Sequence, residues 1–205
     1  MELRVNYEEF PAAVTTIRNT ANAINNNLTD AYKAMQDCHS VWTGKRYKDL
    51  ATKFNSIVAN VNSMLDLIVG DIPYTIEQIY FNYEAADKQT DARKAAKNQP
   101  KKVSMAIPAD EMLYINGQAV TPYKTSVKNN FTNAKNGIAT IKTKVDGLTW
   151  QGTSCNEYKA KLTKLKGDLD KAFDEISQAF DKLSTEAVAA FEAAEKANNV
   201  AATAK

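Results

Sequence analysis

Apolar residues recur at steps of three and four along the chain, in stripes that stop and restart at a Trp. The first stripe is Ile17, Ala21, Ile24, Leu28, Tyr32 and Met35, one face of a helix. After Trp42 it resumes as Leu50, Phe54, Ile57, Val61, Leu65 and Ile68, and Ile72, Ile76, Ile79 and Tyr83 extend it. Gly70 and Pro73 sit inside this second stripe and predict a kink or a break. A third stripe, Val127, Phe131, Ala134, Ile138, Ile141 and Val145, precedes Trp150. A fourth follows it, from Leu162 through Leu169, Phe173 and Phe180 to Phe191. Thr121-Pro122 predicts the third helix's N-cap and first position, and Ser154-x-x-Glu157 reads as a capping box for the fourth.

The two halves keep one register. Trp42 and Trp150 are ~108 positions apart, as are Tyr83 and Phe191, and YEAAD (83–87) returns as FEAAE (191–195). The sequence therefore predicts an all-α fold of two helix–turn–helix hairpins: residues 1–97, a linker over 98–120, and residues 121–205. Each hairpin has one apolar stripe that another layer must cover, so the two should pair as a single-chain four-helix bundle.

The linker's length predicts that they pack antiparallel. A helix of about 40 residues is ~60 Å long, and about 23 extended residues can reach ~75 Å, enough to run the bundle's length. Cys38 and Cys155 should then lie at opposite poles, beyond the ~7 Å between Cα atoms that a disulfide allows. Within the linker, LYINGQAV carries the Asn-Gly signature of a small β-hairpin. The tail after Glu195 should fray.

Composition narrows the function classes. Of 205 residues 24% are charged and the net charge is +2, with no strong basic excess in either half, which argues against a nucleic-acid partner. No apolar run approaches the ~20 residues of a membrane span, and MELRVNYEEF lacks the apolar core of a cleavable signal peptide. The one His, His39, and the two Cys are too few for a zinc site. No Glu-x-x-His pair, Gly-rich phosphate loop or G-x-S-x-G is present. No enzyme activity, cofactor or metal is expected.

The recurring W-x-G has a physical use at a hairpin apex. Trp covers a large apolar area at the turn, and a Gly two positions on lets the backbone take φ > 0 or approach another segment closely. Lys45 and Arg46 follow Gly44 at a helix start, where the macrodipole disfavours cations, and so mark a candidate partner surface beside Trp42.

With Trp42-Thr43-Gly44 and Tyr83-x-x-x-Asp87 in one half, and Trp150-Gln151-Gly152 and Phe191-x-x-x-Glu195 in the other, the chain resembles a known family. It is similar to the small helical WXG proteins, early-secreted-antigen-like substrates of type VII secretion systems. Those are hairpins that pair as four-helix dimers, with W-x-G at the turn and Y-x-x-x-D/E near the end of the second helix. The resemblance covers about residues 5–95 and 118–198, with the two units fused and Phe191 standing where the family has Tyr.

It implies a pseudo-dimer within one monomeric chain, folded in the cytoplasm and exported by type VII machinery, whose ATPase reads a composite surface. The candidate signal and partner residues are Trp42, Gly44, Tyr83, Asp87, Trp150, Gly152, Phe191 and Glu195. The full set meets at one pole: Trp150, Gly152, Tyr83 and Asp87. Two other readings stay open. The bundle could be a chaperone or targeting partner for a larger type VII toxin. It could also be a membrane- or host-surface-binding bundle acting through Lys159, Lys161, Lys164 and Lys166.

Overall fold

A computed structural model describes residues 4–109 and 112–203. The protein is an all-α bundle of four long helices with no strand among the described residues. Helix α1 spans Phe10–Asp37 and α2 Lys45–Leu65. A π-helical turn, Asp66–Asp71, joins α2 directly to α3, Ile72–Lys88. Helix α4 spans Gly117–Asp146 and α5 Thr153–Thr203.

The expected disturbance at Gly70 and Pro73 takes the form of that π-helical turn. Pro73 has no N–H to give the preceding turn, and the wider helix absorbs the mismatch without ending it. Gly70 also lies under the linker: a Cβ there would come within 3.1 Å of the Asn98 carbonyl oxygen.

The hairpins are antiparallel. Val5, ahead of α1, pairs with Trp150 at the second apex, and Ile115, ahead of α4, pairs with Trp42 at the first. The most extensive helix packing is α1 on α4, followed by α4 on α5 and α2 on α5. The α1–α4 crossing is close because residue 137 is Gly; a Cβ there would stand 2.6 Å from Ile24 Cγ1.

The internal repeat reaches further than the sequence pattern suggested. All seven buried residues of α4 (Val120, Val127, Phe131, Ala134, Ile138, Ile141, Val145) are the counterparts, 110 positions on, of buried residues of α1. After the apices the spacing becomes 108. The core is thus two-fold repeated, like an isologous dimer written into one chain.

Residues 89–116 form the connection, so the linker starts earlier and ends earlier than the expected 98–120. It runs extended along the groove between α1 and α2, clamped by side-chain amides. Asn25 donates to the Lys101 carbonyl and accepts from the Lys101 N–H, both at 2.8 Å. Asn62 does the same with Val103, at 2.9 and 2.8 Å. Asn55 donates to the Met105 carbonyl and Gln36 accepts from the Ala106 N–H. These amides satisfy the linker backbone as a neighbouring strand would, and Val103 and Met105 turn alternately inward and are buried.

Four local expectations are corrected. LYINGQAV makes no hairpin; its Ile115 pairs across to Trp42, and Asn116 caps α4 by accepting from the Ala119 N–H. Helix α4 therefore starts at Gly117, with Pro122 inside it, not at Thr121. Ser154 is already helical, because Gly152 serves as the N-cap of α5, its carbonyl accepting from the Asn156 N–H. Residues after Glu195 continue as helix to Thr203, exposed to solvent through Ala202. Of the linker and the tail, residues 110–111 and 204–205 lie outside the described residues.

Candidate functional site

Both W-x-G turns are built alike. Gly44 has φ 89° and Gly152 φ 128°, and each is followed at once by a helix. A short bridged segment arrives beside the Trp, reverses, and enters the helix; L side chains rarely adopt the backbone angle this reversal needs. The Gly carbonyl accepts the first helical bond, from Lys48 N at 3.1 Å and from Asn156 N at 3.2 Å.

Each apex is closed by the segment that leads into the other hairpin. At the Trp42 pole, Thr43 N–H donates to the Tyr114 carbonyl (2.8 Å) and Asn116 N–H to the Val41 carbonyl (2.9 Å). At the Trp150 pole, Gln151 N–H donates to the Arg4 carbonyl (2.9 Å) and Asn6 N–H to the Thr149 carbonyl (2.8 Å). These are the same pairs under the two-fold repeat. The Glu9 carboxylate adds bonds from the Thr149 N–H and hydroxyl, which hold its pKa below the ordinary carboxylate value.

The Trp rings are core residues of the poles, 1% and 2% exposed. Trp42 stacks on Phe180, ring centres 6.3 Å apart, and meets Tyr47 edge-on. Trp150 meets Phe10 edge-on at 6.1 Å and lies beside Tyr158, whose hydroxyl donates to the Ile72 carbonyl. The Trp150 indole N–H is buried and has no acceptor among the described residues. Cys38 is buried next to the first apex, and the Cys155 thiol donates to the Trp150 carbonyl at the second. The two thiols are free and sit at opposite poles.

At the Trp150 pole the expected residues come together through a segment that sequence reasoning missed. Tyr83 is half-buried against the core and Asp87 is exposed. The Tyr7 hydroxyl donates to Asp87 Oδ2 at 2.7 Å, and its ring lies 6.4 Å from that of Tyr80. Residues 4–9 therefore tie Trp150 to Asp87. Glu84, one turn from Asp87, accepts from Lys88, Arg93 and Tyr80, and its pKa falls to about 2 because of the first two. The signal that could have revealed this segment is the match of Val5-Asn6 to Ile115-Asn116, ~110 positions apart.

At the Trp42 pole the expected residues are looser. Phe191 is 38% exposed and lines a groove together with the 114–117 segment, and the stacking partner of Trp42 is Phe180. Glu195 stands one turn further out on the exposed end of α5. Lys45 and Arg46 are answered within the chain, by Asp49 at 3.1 Å and Glu186 at 2.9 Å. Lys164 and Lys166 likewise pair with Asp168 and Asp170. No group of three or more His, Cys, Asp or Glu able to hold a metal occurs among the described residues. No helix among them is long and apolar enough to cross a membrane.

No family model, no curated protein and no solved structure matches this chain.

Proposed function

We propose that the chain is a non-enzymatic interaction protein of the WXG type, folded before export and handed out of the cell by a type VII secretion system. The observation that carries this reading is the repeated W-x-G turn. Each Gly caps a helix at positive φ beside a buried Trp, and the two hairpins run antiparallel. This is the pairing that the resembled family makes from two chains. The export surface is the Trp150 pole, where Trp150, Gly152, Tyr83 and Asp87 lie within one tied region. Asp87 offers a carboxylate and Tyr83 a hydroxyl, whereas Phe191 can only pack.

The experiment is export of tagged variants from cells carrying a type VII system. Tyr83→Phe and Asp87→Ala should reduce export while the purified proteins keep parental helicity and melting temperature. Glu195→Ala should be exported normally. Full export of the Tyr83→Phe/Asp87→Ala double variant, with loss for Glu195→Ala, would move the signal to the Trp42 pole; equal appearance outside with and without the secretion ATPase would end the export reading.

A second reading, a targeting partner for a larger secreted toxin, is favoured by one observation. Met112 and Leu113 are 68% and 65% exposed beside the Trp42 pole, with Ile107 and Tyr114 also exposed. A clustered apolar surface of this kind suits a partner. Co-purification with a toxin encoded beside it, lost in Met112→Ser/Leu113→Ser, would support this reading.

A further inference from the structure

The two poles are equivalent under the repeat, yet one is filled and the other is open. At the Trp150 pole, Tyr7 occupies the space between the entering segment and the end of α3, against Tyr80, with its hydroxyl on Asp87. Counting 110 positions on from Tyr7 gives Gly117; counting 108 on from Tyr80, Tyr83, Glu84 and Asp87 gives Val188, Phe191, Glu192 and Glu195. Four of these counterparts, Gly117, Val188, Phe191 and Glu192, line a groove of about 460 Å³ together with Tyr114 and Ile115, and Glu195 follows one turn beyond Phe191 on α5. The groove is the place of Tyr7 with the phenol missing.

The chain cannot supply that phenol from the equivalent position. A Cβ at Gly117 would already stand 3.0 Å from Val188 Cγ2, so a side chain there needs α5 to move. Charge is only partly matched: Lys88 has a counterpart in Lys196, 108 positions on, but Arg93 has none, since position 201 is Ala. Glu84 is neutralised by Lys88 and by Arg93, which the returning linker brings back across Phe81. At the other pole the chain does not turn back at the corresponding place: α5 runs straight on to Thr203. Glu192 and Glu195 are exposed and make no ion pair among the described residues.

We propose that the groove at the Trp42 pole receives a tyrosine side chain from a partner protein, accompanied by a basic residue. The phenol packs on Val188 and Phe191 and donates to the Glu195 carboxylate, as Tyr7 does to Asp87. The cation meets Glu192, as Arg93 meets Glu84. The partner completes with its own side chains what the Trp150 pole completes with Tyr7 and Arg93. This surface is independent of export and stands whether or not the secretion reading holds.

The test is a titration of the ¹⁵N-labelled full chain with acetyl-Tyr-Arg-amide, followed by amide shifts. Saturable shifts should centre on Gly117, Val188, Phe191 and Glu192. Acetyl-Phe-Arg-amide and acetyl-Tyr-Gln-amide should each bind about threefold or more weakly, the loss of one charge-assisted hydrogen bond at an exposed site. Glu195→Gln should erase the preference for Tyr over Phe, and Glu192→Gln the preference for Arg over Gln. Both substitutions lie on an exposed helix surface, and circular dichroism will verify that the fold is kept. Absence of saturable shifts at the groove, or preferences untouched by these two substitutions, would overturn the proposal. So would movement of the same resonances on concentrating the protein alone, which would make a second copy the occupant.

Discussion

Gly44 and Gly152 stand ~108 positions apart in the chain and at opposite ends of the bundle, and both hold positive φ immediately before a helix. Room is not what makes Gly necessary at position 44: a Cβ would meet its neighbours, Leu113 and the Met112 carbonyl, at an ordinary 3.4 Å. The constraint is the backbone angle. Gly44→Ala and Gly152→Ala should therefore each destabilise the fold by about 1–2 kcal/mol, with no change in the native contacts. Urea unfolding of the two variants checks this. An Ala tolerated at both positions without loss would mean that the turns relax to another geometry.

The linker clamps give a sharper stability prediction. Asn25 is buried and holds both backbone polar groups of Lys101; Asn62 holds both of Val103. Removing either amide strands a partly buried N–H and a carbonyl. Asn25→Ala and Asn62→Ala should each cost about 1–3 kcal/mol. The neighbouring Asn26 is exposed, and Asn26→Ala should stay within about 0.5 kcal/mol of the parent. Hydrogen exchange should show the loss locally, with faster exchange at Lys101 or Val103. Equal effects at positions 25 and 26 would show that the clamp contributes nothing.

The helical core was legible because periodicity reports directly on which face is buried. Ile17 to Met35 and Phe131 to Val145 are where the stripes place them. The antiparallel pairing was legible from linker length alone. What the pattern could not show is backbone held by side chains. Asn25, Asn55 and Asn62 read as polar helix surface, since an amide that clamps a strand and one that faces water look alike in sequence. The start of α4 was misread for a similar reason. Thr121-Pro122 is a strong local signal, but Asn116 and the tertiary bridge of Ile115 to Trp42 begin the helix earlier. At the candidate site, the turn residues were visible through their spacing. Tyr7 was not, because its partner Asp87 lies 80 residues away.

Cys38 should behave as an inert core thiol. Burial pushes its pKa up to about 12, so almost no thiolate forms in the native protein at neutral pH. Alkylation should require unfolding, and a native Cys38–Cys155 disulfide should not be obtainable under mild oxidation. The sign of the pH effect follows. The folded state keeps the proton where the unfolded chain releases it, so this group's contribution is complete below the ordinary thiol range and declines as pH rises from there toward about 12. Cys38→Ala should flatten the alkaline part of the stability curve. An unchanged slope, or fast native labelling of Cys38, would contradict its burial.

The bond between Tyr7 and Asp87 can be read in the same way, at the surface. Donation to the Asp87 carboxylate, ahead of the smaller effect of desolvation, raises the Tyr7 pKa above its ordinary value. The folded state thus holds the phenol proton longer than the unfolded chain. The tie is intact below the usual tyrosine range and weakens as pH rises through the raised value. Tyr7 should titrate later than in an Asp87→Asn variant, a difference seen by isolating its phenolate signal against Tyr7→Phe. Because residues 4–9 also bridge to Trp150, Tyr7→Phe should speed amide exchange at Asn6 and Gln151, the two donors of that bridge. The melting temperature should hardly move, since an exposed hydrogen bond contributes little to global stability. If exchange at Asn6 and Gln151 is unaltered in Tyr7→Phe, the entering segment is held by its backbone pairing alone and Tyr7 does not tie Asp87 to the Trp150 turn.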